Sequence, residues 1–356
     1  MQRRPTLSDI ARLCGVTAST VSRVLNKKPS FSTSPEVRRK IEETAEQLGY
    51  VPDLAARNLS RRTTRVVGLF ASPATHVSEG IYEPLIEGVL EALHASDYDV
   101  FFDLSASRGR RLPFWRFDGA LLLQCPRPET VEELDRRRVP YVCVNETVGS
   151  PVVRVLADDG MGMRRAVEHL AQLGHRRLAY ANARSNSLPH YSIAERHETL
   201  LACSKELGVD LVGLHDAPFA DAKEFIVSTV VDQGATAVIT YDHQIAVAIV
   251  GAAAGLDLRI PEDFSLLCFN DVFPVVLMPT PLTAVSVPAR EMGRVSGRRL
   301  LENLAIRGPN EAKEIRLPEE LVVRLSTAPP RREGRALGRN RPESSRSHQR
   351  QELHTE

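Results

Sequence analysis

The sequence predicts an α/β protein in which a small all-α helix-turn-helix unit precedes two doubly wound parallel sheets. Short apolar runs at helical spacing, interrupted by a glycine turn, occupy the first 50 residues. From Arg65 onward, β-rich runs alternate with amphipathic helical stretches, a pattern typical of parallel sheets with helices on both faces. The 356 residues are too many for one core and suit two or three domains.

The first helix is predicted over Leu7–Leu13, where apolar residues recur at helical spacing. Thr6 or Ser8 is available as its N-cap. The run stops at Cys14-Gly15, where glycine permits a tight turn.

The second helix is predicted over Ala18–Leu25, with Thr17 as its cap and Val21 and Val24 on its apolar side. Two short helices joined by such a turn form a helix-turn-helix, whose second helix lies in the major groove of DNA with its first residues at base edges. Small hydroxylated side chains there suit phosphate and base contacts, and Arg23 could fork onto a guanine.

The amino-terminal end is basic although the whole chain carries a formal charge of only +1. Residues 1–65 contain 13 Lys and Arg against six Asp and Glu, which leaves the remainder at about −6. A basic end is the end that should meet a polyanion such as nucleic acid, and a solvated charged face is the alternative.

A third helix is predicted to begin at Ser34-Pro35-Glu36 and to run to Gly49, so three helices close a small core. The next segment, 50–60, has the length of about two helical turns and is too short to be a stable helix alone. It is either a plain linker or a helix that orders only when paired with its twin on DNA.

The second part of the chain is predicted to contain two sheets. The predicted strands are Val66–Phe70, Tyr98–Leu104, Gly119–Leu123, Tyr141–Asn145, Arg177–Tyr180, Ala237–Thr240 and Ser265–Phe269. The predicted helices are Leu85–His94, Gly160–Leu173, Ala194–Leu207 and Gln244–Gly255. In open parallel sheets, ligands bind beyond the carboxyl ends of strands, where Asn145, Tyr241-Asp242 and Asn270-Asp271 stand.

Several classes of protein are disfavoured. No apolar stretch of signal-peptide length follows Met1 and no run of 18 apolar residues occurs, so we expect a cytoplasmic protein with no membrane partner. Five scattered cysteines without a C-x-x-C pair predict neither a disulfide framework nor a metal site. No phosphate-loop, nucleophile-elbow or zinc-protease motif occurs, so we expect neither catalytic residues nor a cofactor.

Three stretches carry a resemblance to a known family. The run Thr6–Asn26, the motif at Gly49–Pro52 and the motif at Ala56–Leu59 resemble the headpiece and hinge helix of the lactose/galactose repressor (LacI/GalR) family. The likeness continues more loosely to about residue 326. Its counterparts there are Val167–Tyr180, Tyr241–Ala246, Leu258–Asp271 and Pro281–Pro288.

The resemblance implies two sets of site residues. The residues expected to face DNA are Ser8, Thr17, Ala18, Ser19, Thr20, Ser22, Arg23, Asn26, Tyr50, Ala56 and Leu59. Leu59 is expected to wedge into the minor groove at the operator centre. The residues expected to bind an effector are Asn145, Arg196, Phe219, Tyr241, Asp242, Asn270 and Asp271. Arg196 would grip effector hydroxyls, Phe219 would stack on a sugar face, and Asp159 would lie near the subdomain crossing.

The resemblance also implies a domain plan. This plan has a headpiece at 1–50, a hinge at 51–64, and a periplasmic-binding-protein-like effector and dimerisation domain at 65–326. Its two subdomains would be 65–158 with 290–318, and 159–289 with 319–326. The segment 327–356 is poor in apolar residues, has seven Arg against four Glu, and is expected to be a disordered basic tail.

The function implied is that of a homodimeric transcriptional repressor in the bacterial cytoplasm, associated with the nucleoid. It would bind a palindromic double-stranded DNA operator under the control of a small effector, a sugar or a sugar derivative. The alternatives are an enzyme acting on a sugar or nucleotide, an exported sugar-binding protein, and a DNA-binding regulator whose cleft is vestigial or binds another protein.

Overall fold

The computed structural model describes residues 5–26, 31–50, 63–71, 80–94, 96–103, 117–123, 128–147, 153–184, 190–306 and 312–331. The chain folds as two compact units, residues 1–64 and 65–356. Within the described ranges, no helix combines the length and the apolar character needed to cross a membrane.

The described residues of the first unit form three short helices, α1 (Leu7–Cys14), α2 (Ala18–Leu25) and α3 (Pro35–Gln47). Thr6 and Asp9 form a reciprocal capping box at the start of α1, and Gly15 ends the helix in the left-handed region at φ 70°. The three helices enclose a core in which Ile10, Val21 and Ile41 are fully buried. The bounds predicted for α2 are those observed, and the other two helices agree within two residues.

The described strands of the second unit form two separate sheets. The strands of the first are β1 (Val66–Ala71), β2 (Asp99–Asp103), β3 (Gly119–Leu123), β4 (Tyr141–Val144), β5 (Val153–Asp158) and β12 (Lys313–Pro318). These six strands are parallel and lie in the order β12-β5-β4-β3-β1-β2.

The strands of the second sheet are β6 (Arg177–Arg184), β7 (Asp210–Leu211), β8 (Pro218–Phe219), β9 (Ala237–Thr240), β10 (Ser265–Phe269), β11 (Thr283–Ser286) and β13 (Glu320–Val322). Their order is β13-β11-β10-β9-β6-β7, with β8 paired to β6; β13 is antiparallel to β11, and the other described pairs are parallel. The observed fold confirms the predicted class of two doubly wound parallel sheets.

Each sheet forms a lobe with its own helices and its own buried clusters of apolar side chains. The first lobe carries α4 (Tyr82–His94), α5 (Pro128–Arg137) and α10 (Ala289–Ile306). The second lobe carries α6 (Asp159–Gln172), α7 (Tyr191–Leu207), α8 (Ala222–Ile226) and α9 (His243–Gly255). One π-helical turn follows α8 at Val227–Asp232, and a 3₁₀ turn lies at Val275–Leu277.

Within the described residues, the chain passes between the lobes three times. The first crossover joins β5 to α6 at Asp158-Asp159, the second joins β11 to α10, and the third joins β12 to β13 at Glu319. Sequence periodicity indicates which face of an element is buried, but it does not indicate which sheet the element joins. The crossovers therefore could not be predicted from periodicity alone.

Glycines hold α10 against the first lobe. A Cβ at Gly88 of α4 would overlap the backbone carbonyl of Arg290, and a Cβ at Gly293 of α10 would overlap the carbonyl of Leu85. The two helices therefore approach so closely that only glycine fits at these two contacts. Arg294 adds an ion pair to Glu91 at 2.6 Å across the same face.

The carboxyl-terminal segment is ordered further than its composition indicates. The scarcity of apolar residues predicts disorder from Thr327 onward, and this is wrong for its first residues. The hydroxyl of Thr327 lies 3.0 Å from Nε2 of His169, and the amide of Ala328 donates to Ser265 Oγ at 3.0 Å. Polar partners hold this segment, so its apolar content is a poor guide to its order. Residues 332–356 lie outside the described ranges.

Candidate functional site

The amino-terminal end of α2 presents small hydroxylated side chains. The Thr17 hydroxyl accepts from the Thr20 amide at 3.1 Å and so caps the helix. Ser19 and Arg23 lie outside the core, whereas Val21 and Val24 point into it. The core thus fixes which face of α2 is offered to a partner, and that face carries hydroxyls and a guanidinium.

The remaining headpiece predictions fall into two groups, those within the described residues and those outside them. The described ones are exposed or half-buried: Ser8, Thr17, Ala18, Thr20, Ser22, Asn26 and Tyr50. Asn26 ends α2 by donating from its side-chain amide to the Ser22 carbonyl at 2.7 Å, and the Arg23 guanidinium carbon lies 5.3 Å from the ring centre of Phe31. Ala56 and Leu59 lie outside the described residues.

In the second unit, two asparagines occupy corresponding positions, one in each lobe. Asn145 follows β4 with φ 55°, and Asn270 follows β10 with φ 70°. The backbone amide of Asn145 donates to the Val155 carbonyl of β5 at 2.8 Å, and that of Asn270 to the Val285 carbonyl of β11 at 3.0 Å. Asparagine tolerates this left-handed backbone, which turns the chain sharply at the carboxyl end of each strand.

The start of α7 bridges the two lobes. The hydroxyl of Tyr191 donates to Asn145 Oδ1 at 3.0 Å and also accepts from the Ala157 amide at 3.2 Å. His190 Nε2 lies 2.8 Å from the Asn145 carbonyl. Burial raises the pKa of the Tyr191 hydroxyl, so it stays protonated and able to donate.

A hydrogen-bonded relay continues from this bridge into the second lobe. His190 Nδ1 lies 2.7 Å from Ser192 Oγ, which lies 2.9 Å from the Tyr241 hydroxyl. Because the Asn145 carbonyl only accepts, His190 must carry its proton on Nε2, and Nδ1 must accept from Ser192. Tyr241 is then the donor to Ser192. Burial lowers the pKa of His190, which favours this neutral tautomer.

Arg196 lies in α7, buried beneath the carboxyl ends of β9 and β10. Its Nε donates to Asp159 Oδ1 at 2.6 Å, and its Nη1 donates to the Tyr241 carbonyl at 2.6 Å. The guanidinium carbon lies 3.8 Å from the ring centre of Phe269. Burial opposes the charge, but the acidic neighbours, Asp159 foremost, outweigh burial and raise the pKa of Arg196, which therefore stays charged.

Glu319, at the third crossover, completes this cluster. Its carboxyl group is fully buried, lies 3.8 Å from Arg196 Nη2, and accepts no hydrogen bond from the described residues. Burial raises the pKa of Glu319 well above its usual range, and the neighbouring Asp159 adds to the effect. Burial therefore favours the protonated form of Glu319. Its position requires Gly162, because a Cβ there would overlap the carboxyl group.

Three other residues predicted to bind the effector contact groups of the protein itself. Asp242 caps α9 by accepting from the Ile245 amide at 2.8 Å. Asp271 pairs with Arg324 through both of its oxygens, at 2.7 and 2.8 Å. Phe219 is 6% exposed within the second-lobe core, and the Arg184 guanidinium carbon lies 5.9 Å from its ring centre.

The structure thus brings Asn145, Tyr241 and Arg196 together and adds four residues to them. Sequence reasoning missed His190, Tyr191, Ser192 and Glu319 because their partners are distant in sequence. Only His190-Tyr191-Ser192 left a local signal: polar residues at the start of an amphipathic helix predict an N-cap, and the cap here is the His190 side chain.

Two family models match the chain. Residues 6–53 match the model described as bacterial regulatory proteins, lacI family. Residues 167–327 match the model described as a periplasmic binding protein-like domain. The first match contains α1 to α3, and the second covers most of the second lobe.

Curated relatives and solved structures match over nearly the whole chain. The transcriptional regulator CelR of Thermobifida fusca is 30% identical over 342 residues, which cover 91% of this chain and 99% of CelR. A CelR–cellobiose complex superimposes with a TM-score of 0.64 at 25% identity, over 91% of this chain and all of that one. A lac repressor dimer bound to operator superimposes with a TM-score of 0.76 over 92% of this chain and all of that one; at 20% identity this shows the shared fold.

Proposed function

The chain belongs to the lacI family of bacterial regulatory proteins, and on this premise we propose that it is a repressor that binds a palindromic operator as a homodimer and is controlled by a sugar-like effector. It is a DNA-binding transcriptional regulator and not an enzyme. We infer that it acts in the bacterial cytoplasm, at the nucleoid.

The proposed DNA binding is supported by the uncovered amino-terminal end of α2. Thr17, Ser19 and Arg23 lie on the face of α2 that the three-helix core leaves uncovered. A helix of this length placed in the major groove brings its first turn to base edges. We assign operator contact to the eleven residues named above, including Tyr50 and Leu59, with Leu59 acting as the minor-groove wedge.

The effector half is supported by polar groups at the carboxyl ends of strands in both lobes. Asn145 lies at this edge of the first sheet, and Tyr241 and Asn270 lie at this edge of the second. The effector is assigned to Asn145, Arg196, Tyr241, Asp242 and Asn270. Phe219 is buried and Asp271 is paired, so we assign them structural roles: Phe219 packs against the Arg184 guanidinium, and Asp271 pairs with Arg324.

The control mechanism follows from the bridge between the lobes. A ligand that replaces the contacts of His190 and Tyr191 with Asn145 changes which angle between the lobes is preferred. In the proposed dimer this angle sets the spacing of the two hinge segments, 51–64, and so the fit of the headpieces, 1–50, to their half-sites. The effector domain would span 65–326 in two subdomains, with the crossovers between them.

Support for a sugar as effector comes from related regulators. CelR has been solved with cellobiose, and two lacI-family regulators from Enterococcus, which share this fold, have been solved with ribose. Hydroxyl, amide and guanidinium groups like those in this cleft are suitable partners for sugar hydroxyls.

The test is a selection of bound fragments from random double-stranded DNA by the full chain, repeated with pooled sugars. The proposal expects a palindromic site whose recovery changes in one sugar pool. Enrichment of a site that no pool alters would favour a regulator whose cleft is vestigial or binds a protein. Recovery of no preferred sequence in any pool would remove the operator-reading assignment.

A further inference from the structure

The charge of Arg196 is already compensated inside the proposed cleft. Its Nε donates to Asp159 at 2.6 Å, and its Nη1 donates to the Tyr241 carbonyl at 2.6 Å. A carboxylate or phosphate is recognised by two adjacent N–H donors and an uncompensated positive charge. Arg196 lacks the uncompensated charge, because the Asp159 carboxylate balances it, and two of its three nitrogens already donate to protein acceptors.

Arg196 retains uncommitted N–H donors for an uncharged partner. The 3.8 Å separation of Nη2 from Glu319 is too long for a hydrogen bond, so the hydrogens on Nη2 are not committed to that carboxyl group. Both rings beside the guanidinium, Phe269 at 3.8 Å and Tyr241 at 4.9 Å, restrict its orientation. A fixed donor whose charge is neutralised suits a hydroxyl oxygen.

The other cleft groups lead to the same ligand chemistry. Asn145, Ser192, Tyr241 and Asn270 supply amides and hydroxyls, which bind neutral donors and acceptors. The nearby Arg324 is held by both oxygens of Asp271. An anion entering here would lie close to the buried carboxylate of Asp159, and such a charge is costly to bury without a partner of opposite sign.

One guanidinium of the second lobe, that of Arg184, is paired within the described residues with a neutral group only. Arg184, at the end of β6, donates to the Gln244 side chain at 3.3 Å and is half-buried. It lies over Phe219 rather than beside Arg196. We expect an anionic effector to bind through Arg184, so a variant at this position tests that outcome.

We propose that the effector is an uncharged polyhydroxyl compound, and that Asp159 is a specificity-determining residue that excludes anionic effectors by compensating Arg196. This inference rests on the proposed function of the cleft. It concerns which sugars are accepted, whereas the proposed function concerns whether any sugar controls DNA binding.

The first test uses the full-length protein and matched ligands. Binding of glucose, galactose, ribose and cellobiose is compared by calorimetry with that of glucuronate, galacturonate, ribose 5-phosphate and cellobionate. We expect a neutral compound to bind at least tenfold more tightly than its anionic counterpart. An anionic compound as the tightest ligand, lost in Arg184→Gln, would overturn the inference while leaving sugar control intact. Binding of none of the eight would overturn the inference and the proposed sugar-like effector, and would leave the operator-reading assignment in place.

The second test removes the carboxylate that compensates the charge of Arg196. Asp159→Asn keeps the side-chain shape and removes the carboxylate, and we expect it to shift the ratio of anionic to neutral affinity at least tenfold toward the anion. Glu319→Gln changes a carboxyl group that lies 3.8 Å from Nη2 and makes no hydrogen bond to Arg196, so its shift should be much smaller. Glu314→Gln removes an exposed carboxylate from β12 and should leave the ratio unchanged.

Operator binding and thermal melting confirm that each of these variants is folded. A folded Asp159→Asn protein with an unchanged ratio would contradict the specificity role even if the wild type prefers neutral sugars. A shift in Glu319→Gln as large as that in Asp159→Asn would contradict the assignment of the effect to Asp159.

Discussion

The hydroxyl of Tyr191 lies 3.0 Å from Asn145 Oδ1, so a helix of the second lobe is hydrogen-bonded to the end of a strand of the first. His190, the residue before it, bonds the carbonyl of the same asparagine at 2.8 Å. Both bonds add to the covalent crossovers that link the lobes. Any ligand that competes for Asn145 therefore acts directly on the contact between the lobes.

The first prediction concerns this bridge. Tyr191→Phe keeps the ring but leaves Asn145 Oδ1 without its donor, so we expect a loss of about 1–2 kcal/mol in the free energy of unfolding. We also expect an altered concentration of effector for half-maximal change in operator binding. Tyr141→Phe is the control, because its hydroxyl bonds Asp135 at 3.0 Å within the first lobe. Equal effector responses in both variants would show that the bridge has no part in control.

The second prediction concerns base reading. Arg23 lies on the open face of α2, and Arg23→Ala is expected to relax base preference at one position in each half-site, at a cost of about 1–3 kcal/mol. The measurement is fluorescence anisotropy on a set of single-base operator variants. Arg39→Ala, which removes an exposed guanidinium from α3, should not change the preference. A uniform loss across all sequences in Arg23→Ala would identify Arg23 as a phosphate contact instead.

The third prediction concerns Leu59, which lies outside the described residues and is assigned by resemblance. Leu59→Ala should weaken specific operator binding, because a minor-groove wedge unstacks a base step only at its own site. Binding to nonspecific DNA should be nearly unchanged, since that binding is electrostatic. The two affinities are measured at one salt concentration, and equal losses on both DNAs would exclude the wedge.

The fourth prediction concerns dimerisation. Phe273 and Leu277 are each 73% exposed, and Val276 lies between them, so this segment leaves apolar surface uncovered. We expect Leu277→Asp to shift the protein to monomer in analytical ultracentrifugation and to weaken operator binding. Leu214→Asp tests an equally exposed leucine on another segment and should leave the dimer intact. A Leu277→Asp protein that remains dimeric would place the interface elsewhere.

The fifth prediction concerns pH. Burial lowers the pKa of His175 to about 4, because the ring is enclosed by Thr236, Ser265 and Ala328. The unfolded chain binds this proton below about pH 6.5 and the native state only near pH 4, so stability falls as the pH drops through that window. The loss is about 3 kcal/mol for such a shift.

Urea unfolding between pH 4 and 8 measures this effect. His175→Gln should flatten much of the pH dependence. His169 and His190, whose pKa values burial also lowers, add to the fall, and Glu319, whose pKa burial raises, opposes it. His94→Gln, at an exposed position, should leave the profile as it is in the wild type. A wild-type profile that does not fall below pH 6.5 would contradict the burial of a neutral His175.

Elements with strong local signals could be predicted from the sequence. Helix α2 and strands β3, β9 and β10 have the predicted bounds, because a capped apolar stripe and short apolar runs are complete within each segment. Helix α10 escaped prediction, since its buried face is partly Gly293, Ser296 and Gly297 rather than large apolar residues. Close backbone packing leaves no hydrophobic periodicity to read.

The site was predictable only in part, for a related reason. Asn145, Tyr241 and Asn270 follow buried strands, so their position at a sheet edge was readable. The partners of Arg196 could not be predicted, because Asp159 and Glu319 lie at two different crossovers and come together only in the folded chain. Their acidic character gave no signal, since most acidic residues are solvated.

In the proposed mechanism, operator binding and effector binding are coupled through the two lobes. The most direct measurement is the affinity of the full-length protein for its selected operator with and without the effector, together with the affinity for the effector with and without the operator. Coupling requires both affinities to change by the same factor, typically about 5- to 150-fold. An effector that binds with one affinity whether or not the operator is present would contradict the account.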